Sequence, residues 1–186
     1  MCIRDSRWLG ELAQKAEQNK GLHEWHTRDG EGRGSSTYAG SAGALAAAVF
    51  EGLFGVSLSA DELSLTVRLG NESGRIHLYQ PATDTFVAYG YEPSEQVLAL
   101  TYDSNHRKPG RVALLIPRGR AARSASLDGR GIDLHVEPRG HERYAVVPTS
   151  WGPHRFEVLL RSEPQRQGDA GATPGGSDAH PDARVR

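Results

Sequence analysis

Residue types that can do chemistry concentrate between Leu22 and Gly55. The polar run His23-Glu24-Trp25-His26-Thr27-Arg28-Asp29-Gly30-Glu31-Gly32 leads through Tyr38-Ala39-Gly40-Ser41 into an apolar segment. Trp25 offers a flat apolar face of the kind a sugar ring stacks on, and His26, Arg28 and Asp29 offer hydrogen bonds to hydroxyls. Trp25 also suits a packing anchor between two units of a larger protein. Glu24 reads either as a carboxylate placed for a task or as a solvated loop charge. His23 and His26 share the loop without a third ligand, so no metal is expected. Gly30, Gly32 and Gly34 read as loop flexibility.

Two helices must position this loop. The first is expected from Arg7 to Asn19, with Trp8, Leu9, Leu12, Ala13 and Ala16 on one stripe and Gly21 as its C-terminal cap. The second is expected from Ala42 to Phe54, capped by Ser41 or by Ser35 to Thr37 and ended by Gly55. Its only charge is Glu51, and apolar residues fall on every side, so it must be surrounded by protein or membrane. It is too short for a bilayer, which needs about twenty residues, so other helices are expected to bury it. The loop between the two helices is long for a helical hairpin, and such loops are often functional.

After Gly55 the pattern changes to period two. Strands are expected at Leu63–Leu69, Arg75–Tyr79, Thr85–Tyr89, Val97–Tyr102 and Arg111–Ile116, then at Ala122–Leu127, Ile132–Glu137, Arg143–Val147 and Arg155–Leu160. Turn signals separate them, including Asn71 to Gly74, Asp128-Gly129 and Arg139-Gly140. Many short strands with no helix between them read as an antiparallel β-sandwich. On these strands His77, Tyr79, Tyr89 and Tyr91 form either an aromatic carbohydrate-binding surface or part of the core.

Composition narrows the classes. The formal net charge of −1 comes from interspersed acidic and basic residues, which points to neither a nucleic-acid partner nor a membrane surface. The preference for Arg over Lys reads as the mark of a GC-rich bacterial genome. The single cysteine, Cys2, lies in residues 1–6, which are read as a non-native start, so disulfides and thiolate chemistry have no support and the compartment stays open. The expected organisation is a helical unit at 7–58, a sandwich at 59–161 and a disordered tail at 162–186 rich in Gly, Asp, Pro and Arg.

Helix, long polar loop, apolar helix and terminal sandwich together resemble the end of the six-hairpin toroid glycosidases. That group holds glucoamylases, trehalases, processing alpha-glucosidases, mannosylglycerate hydrolases and the related disaccharide phosphorylases. In several of its hydrolases a catalytic glutamate lies in a loop similar to E-Y-Y-x-P-x-T-G-E-G. The segment Glu24 to Gly32 is similar to that loop, with Trp25 and His26 in the place of the tyrosines, no proline, and Asp29-Gly30 near the usual Thr-Gly. Tyr38-Ala39-Gly40-Ser41-Ala42-Gly43 and Phe50-Glu51-Gly52-Leu53-Phe54-Gly55-Val56 resemble the segments that open and close the last toroid helix in the phosphorylase branch. There Ser41 stands for a phosphate-contacting threonine, and Ala44 or Leu45 for a tryptophan.

The resemblance covers roughly residues 7 to 60 and implies a fold: the last helical hairpin of an (α/α)6 toroid, followed by the sandwich. It implies Glu24 as the general base of an inverting glycosidase, with Trp25, His26, Arg28, Asp29, Tyr38 and Ser41 binding the carbohydrate and no cofactor. Inversion needs two carboxyl groups about 6.5 to 9.5 Å apart. The partner acid is expected in a missing N-terminal part of the same chain. The alternatives are a disaccharide phosphorylase fragment, for which Ser41 with Arg33 is the local hint of an anion site, and a non-catalytic carbohydrate-binding or structural sandwich.

Overall fold

The computed structural model describes residues 3–18, 21–29, 31–36, 38–59 and 61–163, with side chains from residue 10 onward. Met1 and Cys2, the side chains of Trp8 and Leu9, the cap candidate Thr37, Gly30 and the tail from Pro164 onward lie outside the described residues.

Two sheets face each other. The larger is six-stranded and antiparallel throughout. It is built from β5 (Gly74–Gln80), β6 (Thr85–Pro93), β7 (Val97–Ser104), β9 (Arg120–Leu127), β10 (Arg130–Ile132) and β13 (His154–Ser162), in the order β10-β9-β13-β7-β6-β5. The smaller runs β11-β12-β8-β4-β3, from β3 (Val56–Leu58), β4 (Leu63–Val67), β8 (Gly110–Leu115), β11 (His135–Arg139) and β12 (Glu142–Thr149). β4 lies parallel to β8, the one departure from the antiparallel pattern expected.

Alternation supplies the core. Every second residue of β4, β6, β7, β8 and β13 points between the sheets, and Leu63, Leu65, Val87, Leu98, Leu100, Val112, Leu114, Phe156 and Val158 are at most 1% exposed. Tyr89 and Tyr91 belong to this core, while His77 and Tyr79 point outward from β5, so the four do not form one aromatic surface. Each buried phenol satisfies its hydroxyl on a backbone carbonyl: Tyr89 donates to Phe54 O at 2.6 Å and Tyr91 to Gly70 O at 2.8 Å. Burial pushes both phenols well above the ordinary tyrosine value. At the β9–β10 hairpin Asp128 and Gly129 both take positive φ, the two-residue turn that the Asp-Gly pair signals.

The helical part corrects the expected fold. Among the described residues there are two α-helices, α1 (Ile3–Gln18) and α2 (Ala39–Ala47), against thirteen strands, and no toroid hairpin is built. α2 buries none of its residues, and from Ala48 to Leu53 the chain overwinds into a π turn that contacts α1. The physical reason lies in the side chains. α2 is mostly Ala and Gly, which offer little area for helix-on-helix packing, while the bulkier Val49, Phe50 and Leu53 fall in the π turn that leads to the sandwich. α1 also starts inside the residues read as a non-native start.

The end of that π turn is fastened to the sandwich. Five successive carbonyls accept bonds from it: Glu51 and Gly52 from the Arg68 guanidinium, Leu53 from the Arg68 amide, Phe54 from Tyr89 and Gly55 from the Thr66 amide. A helix end leaves such carbonyls without partners, and here β4, the residue that follows it, and β6 supply them. Gly55 has φ +67°, and a Cβ there would overlap the Thr66 carbonyl, so only glycine fits this crossing.

Neighbours on one strand test the register. Phe156 is fully buried and Leu159, three residues on, is 45% exposed. Phe156→Ala should cost about 3–5 kcal/mol in urea unfolding, and Leu159→Ala should stay within about 0.5 kcal/mol. Equal costs would mean that β13 does not present alternate faces as described.

Candidate functional site

The long polar loop is folded. β1 (Trp25–His26) pairs antiparallel with β2 (Gly32–Arg33), placing Trp25 opposite Arg33 and His26 opposite Gly32. The turn is closed by the Thr27 amide donating to Glu31 O at 2.9 Å and the Glu31 amide donating to Thr27 Oγ1 at 3.1 Å. Lys15 of α1 donates to the Asp29 carbonyl at 2.9 Å and holds the tip. Below the strands the Glu24 amide donates to Ser35 O at 3.0 Å, and the Tyr38 amide to Leu22 O at 3.3 Å. The small antiparallel pair was not readable from the loop because it is too short to show a hydrophobic period.

Glu24 and Trp25 come together over one glycine. Gly34 has φ +74°, and a Cβ at that position would sit 2.7 Å from both Glu24 Oε2 and Trp25 Cζ3. The missing side chain is what lets the carboxylate and the indole lie side by side. Glu24 is exposed and Trp25 is 55% exposed. A free carboxylate edge beside an open aromatic face can accept a proton or a hydroxyl hydrogen bond while the ring stacks on C–H groups.

The other expected site residues divide. Ser41 is not a helix cap: it lies inside α2, whose N-cap is Tyr38, and its hydroxyl donates to the Glu24 carbonyl at 3.2 Å. It therefore braces the backbone that carries Glu24. Arg33, the other member of the expected anion pair, lies 2.8 Å from Glu31 in an exposed ion pair. His26 turns the other way, edge-to-face with His23 at 5.9 Å between ring centroids, and His23 covers Gly32. His23 Nδ1 and His26 Nε2 are buried without a hydrogen-bond partner among the described residues. Arg28 and Asp29 sit exposed at the hairpin tip. Tyr38 is 47% exposed at the start of α2, its ring over Gly40. Among the described residues no three His, Cys, Asp or Glu side chains converge for a metal, and no helix is long and apolar enough to cross a membrane.

Sequence reasoning missed Gly34, Lys15 and the His23–His26 contact. Gly34 was legible only as a flexible residue, since its left-handed conformation depends on which side chains it meets. Gly34→Ala should push Glu24 and Trp25 apart and destabilise the hairpin by about 1 kcal/mol. Tryptophan fluorescence checks this: the emission should change in Gly34→Ala, and the change should vanish in a Trp25→Phe background. A change that persists there would come from another tryptophan and would contradict the contact.

No family model matches the chain, and no curated protein matches it. Among solved structures it is similar to an alpha-L-rhamnosidase from Dictyoglumus thermophilum, with a TM-score of 0.49 and 13% identity, covering 62% of this chain and 13% of that one. It is also similar to a GH127 beta-L-arabinofuranosidase from Geobacillus stearothermophilus T6, with a TM-score of 0.41 and 16% identity, covering 67% of this chain and 20% of that one. The chain thus spans a small part of either neighbour. At these scores the likeness places no residue and assigns no activity.

Proposed function

We propose that this chain forms part of a glycoside hydrolase acting on an oligosaccharide or glycoside, and that the β1–β2 hairpin is its contribution to the sugar site. The observation that carries the reading is the exposed Glu24 carboxylate held beside the exposed Trp25 ring over Gly34. The likeness of the Glu24 to Gly32 segment to a catalytic-glutamate loop supports the same reading.

In this reading Glu24 orients a water and takes its proton as the oxygen attacks the anomeric carbon, which inverts that centre. Ser41, through the Glu24 carbonyl, keeps the carboxylate in place. Trp25 stacks on the sugar, and Arg28, Asp29 and Tyr38 bind hydroxyls from the tip and from the start of α2. The general acid is assigned to residues preceding this chain, which would also cover the apolar α2 surface. Hydrolysis is taken as the reading because the hairpin presents the exposed Glu24 carboxylate, a base that phosphorolysis does not need.

The test uses the full-length protein that contains this chain. Glu24→Gln keeps shape and hydrogen bonding but removes the base, so kcat should fall by about 10²- to 10⁴-fold with little change in KM. Trp25→Ala should act mainly on KM. Unchanged hydrolysis in Glu24→Gln would remove the proposed role, and turnover in that variant that depends on added phosphate would move the assignment to a phosphorylase.

A further inference from the structure

The outer face of the larger sheet carries a second feature, away from the hairpin. Along β6 the outward residues Ala88 and Gly90 are small, while the neighbouring strands present longer side chains in register with them. Arg75, Gly90 and Thr101 form one cross-strand row, and His77, Ala88 and Asp103 the next. The result is a groove of about 680 Å³ with β6 as its floor. Its walls stand on β5 and β7, two strand spacings apart, or about 9.5 Å.

The chemistry of the walls is mixed. Arg75 pairs with Glu92 at 3.5 Å at one end, both being largely exposed. Asp103 is half-buried, and neither it nor Thr101 has a side-chain partner among the described residues. His77 lies edge-to-face with the Phe86 ring at 6.1 Å between centroids, and among the described residues its nitrogens have no hydrogen-bond partner. A polyanion does not suit this groove, because among its lining residues the one guanidinium, Arg75, is accompanied by the carboxylates of Glu92 and Asp103. An added peptide strand does not suit it either, because the floor backbone already spends its hydrogen bonds in the ladders to β5 and β7. Hydroxyl groups both donate and accept, which matches an acceptor at Asp103, a donor at Arg75 and dual groups at Thr101 and His77.

We propose that this groove is a binding site for one neutral oligosaccharide chain, lying along β6 with its C–H face on Ala88 and Gly90. The site is independent of the catalytic reading of Glu24. It gives the sandwich a part in holding substrate at a distance from the hairpin.

Gly90 makes the test clean. A Cβ there would meet Arg75 Cγ at 3.7 Å, an ordinary contact, so Gly90→Val should fold normally while raising the floor into the groove. The 186-residue chain is titrated with maltohexaose, cellohexaose and xylohexaose while the Gly90 and Thr101 amide signals are followed by NMR. At least one probe should shift both signals saturably, with a Kd on the order of 1 mM or tighter. Gly90→Val should weaken that probe by roughly tenfold or more. Asp103→Asn, which leaves the floor untouched, should weaken it as well, and Trp25→Ala should leave it unchanged. Absence of any shift with all three probes would overturn the proposal. So would binding that survives both groove variants, or binding lost in Trp25→Ala instead, which would move the sugar to the hairpin without bearing on turnover by Glu24.

Discussion

Five consecutive carbonyls at the end of an apolar helical segment, from Glu51 to Gly55, all take their hydrogen-bond partners from the sandwich. Each such bond contributes about 1 kcal/mol, and leaving a buried acceptor without one costs more than that. Arg68, just after β4, and Tyr89 on β6 are long enough to reach back, and Gly55 has no side chain to keep Thr66 away. This fastening determines where the helical segment leaves the sandwich. The direction of α2, the position of Ser41 on it, and through Ser41 the backbone of Glu24 all follow from it.

The two parts of the chain are stabilised by different means. The sandwich is a two-layer core in which alternation does the work, with large side chains such as Tyr91, Tyr102 and Phe156 fully buried. The hairpin has almost no core. It is held by backbone pairing, a threonine in its turn, the Arg33–Glu31 ion pair and one lysine from α1, and Glu24, Trp25, Arg28 and Asp29 stay exposed. A segment with so few buried contacts is drawn from the low-stability end of the molecule, as binding loops commonly are.

Legibility in the sequence follows the same division. The strands from β4 to β9 were readable because one face of each is buried, and burial imposes period two. One expected strand, Ile132 to Glu137, is in fact two, β10 and β11, which lie in different sheets, because the chain crosses between layers at Asp133 and Leu134. Tyr89 and Tyr91 could not be assigned to core or surface from alternation alone, since alternation gives the relative face and not its direction. The helical part misled for a different reason. A segment apolar on all sides implies a partner, but the sequence does not say that the partner is a helix, and here Phe54 packs against the sandwich core while Phe50 stays exposed. At the hairpin the residue types were legible, but their grouping was not: Glu24 and Trp25 are adjacent and His23 and His26 are three apart, pairs that strand alternation alone places on opposite faces, and it is beside the side-chain-free Gly34 and Gly32 that they meet.

The most direct measurement is hydrogen exchange, followed by mass spectrometry, on the intact chain and on an Arg68→Met, Tyr89→Phe double variant. That variant removes the side-chain donors to the carbonyls of Glu51, Gly52 and Phe54 while keeping apolar bulk. If the fastening sets the helical segment, amides from 39 to 53 should exchange roughly tenfold faster or more, while those of β8 and β13 keep their protection. Unchanged exchange from 39 to 53 would show that the segment is held by something else, and would contradict the account.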